Sequence, residues 1–228
     1  MDTSIKDFKV FFNKELKTLD YLKTKKNNSL EQKLSYSACQ SYNDVQIMKC
    51  LNIYFEWDFY SDELNEKFIL SVAGSVTQNK KVINNISYCI SILKSNDSTS
   101  LDVIRKFHFD YTHPDNERRN DHPIFHFQYC GKPLPHWSGR DVQINGLFPS
   151  LSEPRIIYKP MSLALVLHLV FKEFPDRNNE KIVKDPRWIG LIRENQEFLW
   201  KPYWLKCIEN INKNVLIFDV GYAKKNKI

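Results

Sequence analysis

The sequence predicts one α+β domain over residues 1–228, because helical and strand patterns fall in separate blocks and do not alternate. A length of 228 residues suits a single domain, and 42% hydrophobic residues exclude wholesale disorder. The predicted blocks are a helix at 4–23, a β-rich part at 35–130, a loop-rich part at 131–160, a helical cluster at 161–213 and a basic tail at 222–228.

The N-terminal helix is predicted from apolar residues that recur every three or four positions with lysines between them. Ser4 and Asp7 resemble a capping box in which aspartate replaces glutamate. The apolar positions are Ile5, Phe8, Phe12, Leu16, Leu19 and Leu22.

The β-rich part shows alternation with a period of two, which is clearest from Ile53 to Tyr60. We predict an antiparallel sheet of about five strands, with one face packed and the other face wetter. Gly74 indicates a bulge or a close approach of the backbone. The candidate strands are 53–60, 68–76, 86–92, 104–111 and 124–130.

Helix signals return after the loop-rich part. Ser162 can cap a helix at 163–174, and Asp185 with Pro186 forms an N-cap and N1 pair for a helix that extends to about Leu199. Pro202 can start a further helix that ends near Asn212. The apolar segment 215–220 is predicted as a closing strand.

Several classes of protein are disfavoured by composition. The five cysteines are widely spaced and form no C-x-x-C pair, so a disulfide framework is not expected and a reducing cytoplasm fits best. The longest apolar run, 161–171, is too short to span a membrane, and no signal peptide is visible. With six glycines and no phosphate-binding loop motif, no nucleotide cofactor is expected.

The formal net charge of +6 is concentrated at the two ends of the chain. Lysines at the ends can bind the phosphates of RNA or DNA, or they can simply keep a helix and a tail soluble. The candidate phosphate-binding lysines are Lys23, Lys25 and Lys26 at one end and Lys224 and Lys225 at the other.

The most distinctive feature is a cluster of five of the six histidines, namely His108, His113, His122, His126 and His136. We place this cluster on a β-hairpin whose turn is centred near Glu117. That register puts His108 opposite His126 and Phe107 opposite Phe127, so the aromatic residues share one face and the polar residues share the other.

Three interpretations of the hairpin remain open. In the first, His108, Asp110 and His126, with His113 or His122, bind a divalent ion such as Zn²⁺, Mn²⁺ or Fe²⁺. In the second, the same three residues perform metal-free acid–base cleavage of RNA, and nearby cations hold the phosphate. In the third, the polar face is only solvated or serves as a binding finger. The cations are Lys106, Arg118 and Arg119.

A second feature is the segment 187–206, in which aromatic residues alternate with cations. The pattern favours core packing with basic residues at the surface, and a protein interface and nucleic-acid stacking are the alternatives. The interface candidates are Trp188, Trp200, Tyr203 and Trp204. His168, isolated in an apolar helix, is predicted to be a hydrogen-bonded core histidine.

These features predict a non-catalytic subunit or regulator of a bacterial module, such as a phage-defence or toxin–antitoxin system, that binds a protein partner or nucleic acid. The alternative is a small nuclease that uses His108, Asp110 and His126, with or without a metal. The two functions differ in one structural feature. A nuclease needs its histidines to converge, whereas a binding subunit can present them to solvent.

Overall fold

A computed structural model describes the chain at residues 8–25, 33–43, 46–61, 65–79, 82–95, 100–112, 124–129, 141–143 and 155–213. It confirms the α+β class, with one helix before the sheet and the remaining helices after it. The elements are α1 (Phe8–Thr24), β1 (Lys33–Asn43), β2 (Gln46–Ser61), β3 (Glu66–Asn79), β4 (Val82–Ser95), β5 (Ser100–Thr112), β6 (Phe125–Tyr129), β7 (Asp141–Gln143), β8 (Arg155–Ile157), α2 (Leu163–Glu173), α3 (Arg177–Lys184), α4 (Pro186–Asn195) and α5 (Lys201–Asn212).

The sheet is larger than the sequence predicts. Among the described residues, seven strands are hydrogen-bonded in the order β1-β2-β3-β4-β5-β6-β8, and every neighbouring pair is antiparallel. β7 lies off this path and pairs with β5 in parallel. The additional strands are the polar β1 and two three-residue strands, β7 and β8, which are too short for alternation to be recognised.

One face of the sheet carries the hydrophobic core, and we call it the core face. It includes Ile86, Tyr88 and Ile90 of β4, which lie directly opposite Tyr111, Phe109 and Phe107 of β5. These side chains belong to the same buried cluster as apolar residues of α1 and α2. The helix residues in this cluster include Phe11, Leu19 and Leu22 of α1 and Leu163, Leu167 and Phe171 of α2.

The structure confirms the close approach that the sequence predicts at Gly74, where the backbone lies against the Tyr88 ring. A β-carbon at this position would lie 2.9 Å from Cδ1 of the buried Tyr88 ring, inside van der Waals contact. The glycine therefore makes room for an aromatic ring on the neighbouring strand. The irregularity of the β3–β4 ladder lies elsewhere, between Thr77 and Gln78.

The predicted caps of α2 and α4 are confirmed, whereas the predicted capping box of Ser4 and Asp7 and the predicted strand 215–220 lie outside the described residues. The Ser162 hydroxyl accepts from the Leu165 amide at 3.5 Å, and Asp185 accepts from the Arg187 amide at 2.8 Å, with Pro186 in the first turn. Asp176, which the sequence analysis does not single out, caps α3 in the same way. These caps fix where each helix begins.

A single widened π-helical turn, Gln196–Trp200, joins α4 to α5. Pro202 lacks an amide hydrogen and its ring would crowd the preceding turn of a regular α-helix, so the wider turn accommodates it. The sequence predicts that a new helix starts at Pro202. In the structure Pro202 lies in the first turn of α5, which follows the π-helical turn without a break. No helix among the described residues is long and apolar enough to cross a membrane.

Candidate acid–base site on the β5–β6 hairpin

The hairpin forms, but its register differs from the predicted one by two residues. Asp110, not His108, lies opposite His126, and His108 lies opposite Gln128. Likewise Phe127 faces Phe109, not Phe107. A shift of two keeps every side chain on its predicted face, and the observed register places a carboxylate beside an imidazole where the predicted one placed two imidazoles together.

The second face of the hairpin is polar, as predicted, but it is not wet. His108 is 6% exposed and His126 is 3% exposed, and Lys106 and Gln128 are buried beside them. The expectation of a solvated face is therefore wrong at its centre. We call this surface the polar face; it continues onto β4, where Ser87, Cys89 and Ser91 lie opposite Asp110, His108 and Lys106.

A chain of three polar side chains crosses β4, β5 and β6. The Ser87 hydroxyl donates to Asp110 Oδ1 at 2.5 Å, and His126 Nε2 lies 3.4 Å from Asp110 Oδ2. Burial alone would raise the pKa of Asp110, but the hydrogen bonds from His126 and Ser87 outweigh it and lower this pKa below its usual value. Asp110 is therefore an ionised carboxylate that orients the His126 ring.

His108 is the second imidazole of the site and has a different environment. Its Nε2 lies 3.7 Å from the Cys89 sulfur. Desolvation lowers the pKa of His108 to about 4, and the charge of nearby Asp110 offsets this only in part. His108 is thus neutral at physiological pH.

A small cleft of about 10 Å³, with room for roughly one water molecule, borders Asp110 and His126. Besides Lys159, the rest of its wall consists of core residues, namely Ile86, Phe109, Tyr111, Phe125 and Met161. Lys159 Nζ lies 3.8 Å from the ring centroid of Trp200, and burial lowers the pKa of this lysine. Asp110 keeps 21% of its side chain exposed, whereas His126 keeps only 2%.

The described residues provide no further ligands for the predicted metal site. Within the described ranges, no three histidine, cysteine, aspartate or glutamate side chains are placed to hold a metal ion together. His113 and His122, the predicted completing ligands, lie outside those ranges, as does His136. His108, Asp110 and His126 are brought onto one face in an arrangement that suits proton transfer.

Most of the predicted phosphate-binding cations lie outside the described residues: Arg118, Arg119, Lys26, Lys224 and Lys225. Lys25 forms an ion pair with Asp185 at 2.5 Å, which ties α1 to the start of α4. Lys23 lies 3.4 Å from Asp20 on its own helix. Lys25 therefore has a structural partner, and Lys106 lies within the polar face.

The four predicted interface residues are found in different environments. Trp188 is completely buried, so it cannot contact a partner of the folded chain, and Trp200 and Tyr203 are partly buried against the core. Only Trp204 is largely exposed, at 49%. It heads an apolar stripe on α5, formed by Trp204, Leu205, Ile208 and Ile211, of which the sequence analysis named only the first.

His168 has the structural role that the sequence predicts. The Trp188 indole nitrogen donates to His168 Nδ1 at 3.1 Å. Desolvation, with a smaller contribution from Lys172, lowers the pKa of His168. This histidine is half-buried and neutral, and it lies outside the polar face.

Sequence reasoning did not identify Ser87, Cys89 or Lys159. Ser87 and Cys89 belong to a strand that was recognised, and only the β4–β5 register shows that they face Asp110 and His108. For Lys159 the sequence contains no signal, because the residue is positioned by β8, a strand of three residues that pairs with β6.

No protein-family model, no curated protein and no solved structure matches this chain. Its function is therefore inferred from the geometry and chemistry of the chain itself.

Proposed function

We propose that the protein is a metal-independent ribonuclease whose acid–base pair is His108 and His126. The observation that carries the proposal is that two imidazoles and one ionised carboxylate share one buried polar face, with Asp110 in contact with His126. Histidines that serve only a solvated surface have no reason to be grouped in this way. Functional sites also commonly contain titratable groups whose pKa values are shifted by their surroundings, as those of His108 and Asp110 are.

The chemical roles follow from the environments of the two histidines. His108 is neutral and accepts the proton of a ribose 2′-hydroxyl, whose oxygen then attacks the adjacent phosphorus. His126, oriented by Asp110, donates a proton to the departing 5′ oxygen as the phosphorus–oxygen bond breaks. The products are a 2′,3′-cyclic phosphate and a 5′-hydroxyl, and one proton is taken up for each proton released.

Lys159 also lines the small cleft beside Asp110 and His126, and in this proposal it supplies positive charge for the phosphate. In a partly desolvated position, an ammonium group stabilises the charge that develops on the phosphate oxygens more strongly than it would in water. Its contact with the Trp200 ring holds the side chain in place. Lys159 is therefore assigned the role of phosphate stabilisation.

The test is cleavage of a single-stranded RNA oligonucleotide in EDTA, compared with DNA of the same sequence. We expect the RNA to be cut to cyclic-phosphate products and the DNA to remain intact, because DNA lacks the 2′-hydroxyl. His108→Ala, His126→Ala and Asp110→Asn should each slow cleavage by about 10²–10⁴-fold. The pKa of His108 is about 4, so protonation of His108 should abolish cleavage only as the pH falls through about 4.

Lys159→Met should also slow cleavage, whereas Lys181→Met, an exposed lysine on α3, is the matched control and should not. Thermal unfolding of each variant shows that the fold is retained. Wild-type protein that leaves RNA intact, or histidine variants that cleave as fast as wild type, would refute the proposal. Cleavage that EDTA abolishes would support the metal-dependent alternative.

The second candidate is the binding subunit that the sequence predicts, and the observation that favours it is the apolar stripe of α5. Four large hydrophobic side chains are about half exposed on one helix, which is unusual for a surface that contacts only water. The simplest partner is a second copy, because an apolar stripe is complementary to itself in a two-fold interface.

Analytical ultracentrifugation over a wide range of concentrations tests this second candidate. We expect the wild-type chain to dimerise and Ile208→Glu to be a folded monomer, because Ile208 is 53% exposed and its side chain is not needed for the core. Lys201→Glu, a charge change at an exposed position of the same helix, is the control and should affect dimerisation less. A wild-type chain that is monomeric at every concentration would count against this assembly.

A further inference from the structure

A second cavity lies on the opposite side of the sheet from the His108–Asp110–His126 site. It has a volume of about 410 Å³ and lies between the core face of β5 and β6 and one side of α2. That volume falls in the range of small-molecule sites, and it is far larger than the cleft at Asp110. We call it the aromatic pocket.

Aromatic rings line the sheet side of the aromatic pocket. Phe127 is central to them, because its ring centroid lies 5.2 Å from that of Phe109, 5.9 Å from that of Phe107 and 6.2 Å from that of Tyr158. The rings are tilted by about 45–50° to one another, so they do not close the space by stacking among themselves. A wall of tilted aromatic rings is suited to a flat aromatic guest.

Two opposite charges lie at the pocket. The exposed Arg105 donates from Nη1 to the Tyr129 hydroxyl at 2.7 Å, which fixes the guanidinium at one end. Glu173 of α2 is close enough to the pocket wall that its charge adds to burial in raising the pKa of Tyr158. The pocket therefore offers one cation suited to an anionic group and one carboxylate suited to hydrogen-bond donors.

We propose that the aromatic pocket binds a purine nucleoside monophosphate, with guanine preferred over adenine. The base would pack against Phe127 and Tyr158, and the planar guanidinium of Arg105 would bind the phosphate. Guanine presents two adjacent N–H donors to a carboxylate such as Glu173, whereas adenine presents only its amino group. Because the sequence has no glycine-rich phosphate loop, the phosphate contact comes from this arginine side chain.

The proposal is independent of the proposed RNA cleavage, because none of the residues assigned to cleavage lines the aromatic pocket. Isothermal titration calorimetry of the full chain with GMP, AMP, UMP and guanosine tests it directly. We expect GMP to bind most tightly. Guanosine should bind at least about tenfold more weakly than GMP, since a hydrogen bond to a charged group contributes about 1.5–3 kcal/mol. A short RNA that ends in guanosine monophosphate shows whether the nucleotide is bound free or as a strand end.

Variants separate the three contacts. Arg105→Met should bind GMP no better than guanosine, and Glu173→Gln should reduce the preference for GMP over AMP. Phe127→Ala should lose binding of all nucleotides. Phe127 is half-buried, so poor folding of Phe127→Ala would also abolish binding. Arg105 and Glu173 are exposed, so their variants test the proposal without this complication.

Arg193→Met removes an exposed arginine of α4 outside the pocket and should leave GMP affinity unchanged. Wild-type protein that binds neither GMP nor AMP would overturn the proposal. So would unchanged affinity and selectivity in both Arg105→Met and Glu173→Gln. RNA cleavage by the same preparation is measured separately, so failure of one proposal is distinguishable from failure of the other.

Discussion

Replacing Glu15 with glutamine is expected to increase the free energy of unfolding near pH 8 by up to about 4 kcal/mol. Glu15 lies on α1 and is completely buried. Both of its carboxylate oxygens lie 3.2 Å from the Leu163 amide nitrogen, at the first residue of α2. Glutamine can accept the same hydrogen bond without carrying a charge into the core.

Desolvation raises the pKa of Glu15 from 4.5 to about 8, against the smaller opposing effects of Leu163 and Tyr88. The folded chain therefore keeps the Glu15 proton at pH values where the unfolded chain has released it. The corresponding stability is fully present below about pH 4.5 and is lost as the pH rises through about 8. Glutamine does not titrate, so the variant should lack this decline.

Urea unfolding at a series of pH values measures the effect. The range above pH 6.5 is the most informative, because His108 also affects stability below it. The lowered pKa of His108 makes the free energy of unfolding decrease as the pH drops from 6.5 toward 4. Asp20→Asn, at an exposed acid of the same helix, is the control and should leave the slope unchanged. A wild-type stability that does not fall between pH 6.5 and 8 would contradict the assignment.

The faces of the β5–β6 hairpin could be predicted from the sequence, whereas its register could not. Alternation assigns His108, Asp110 and His126 to one face, and it does so equally well for any shift of two residues. The choice between these registers depends on pairings that alternation does not encode, such as Asp110 with His126 and the stacked rings of Tyr111 and Phe125.

The burial of the polar face could not be predicted either. Residues such as His108 and Gln128 alternate with aromatic residues, which is the usual pattern of a strand with one wet face. Whether that face meets water depends on how the strands curve and on what else packs there, which is a property of the whole fold. For the same reason Lys159, distant in sequence from the hairpin, was not associated with it.

The C-terminal helices show a further ambiguity. Trp188 and Ile192 of α4 have helical spacing, and so do Trp204, Ile208 and Ile211 of α5. Periodicity identifies two apolar faces but does not distinguish the one that packs on the sheet. The structure buries the first and exposes the second, and substitutions at the two tryptophans should therefore differ sharply.

Trp188→Ala is expected to lower the free energy of unfolding by about 3–5 kcal/mol, the usual cost of removing a fully buried large aromatic side chain. The indole packs 5.2 Å from the Tyr21 ring centroid and 6.0 Å from that of Phe171. It also donates to His168, so truncation leaves both a cavity and an imidazole without its donor. Urea unfolding at constant pH gives the value.

Trp204→Ala is the matched control and should destabilise the chain much less than Trp188→Ala, because about half of the Trp204 side chain is exposed. Trp188→Phe should lie between the two, since it keeps an aromatic ring but has no donor for His168. Equal destabilisation by both alanine variants would contradict the assignment of Trp188 to the core. Because Trp204→Ala leaves the fold intact, a loss of dimerisation in that variant reports on the α5 stripe, whereas the same loss in Trp188→Ala reports only on unfolding.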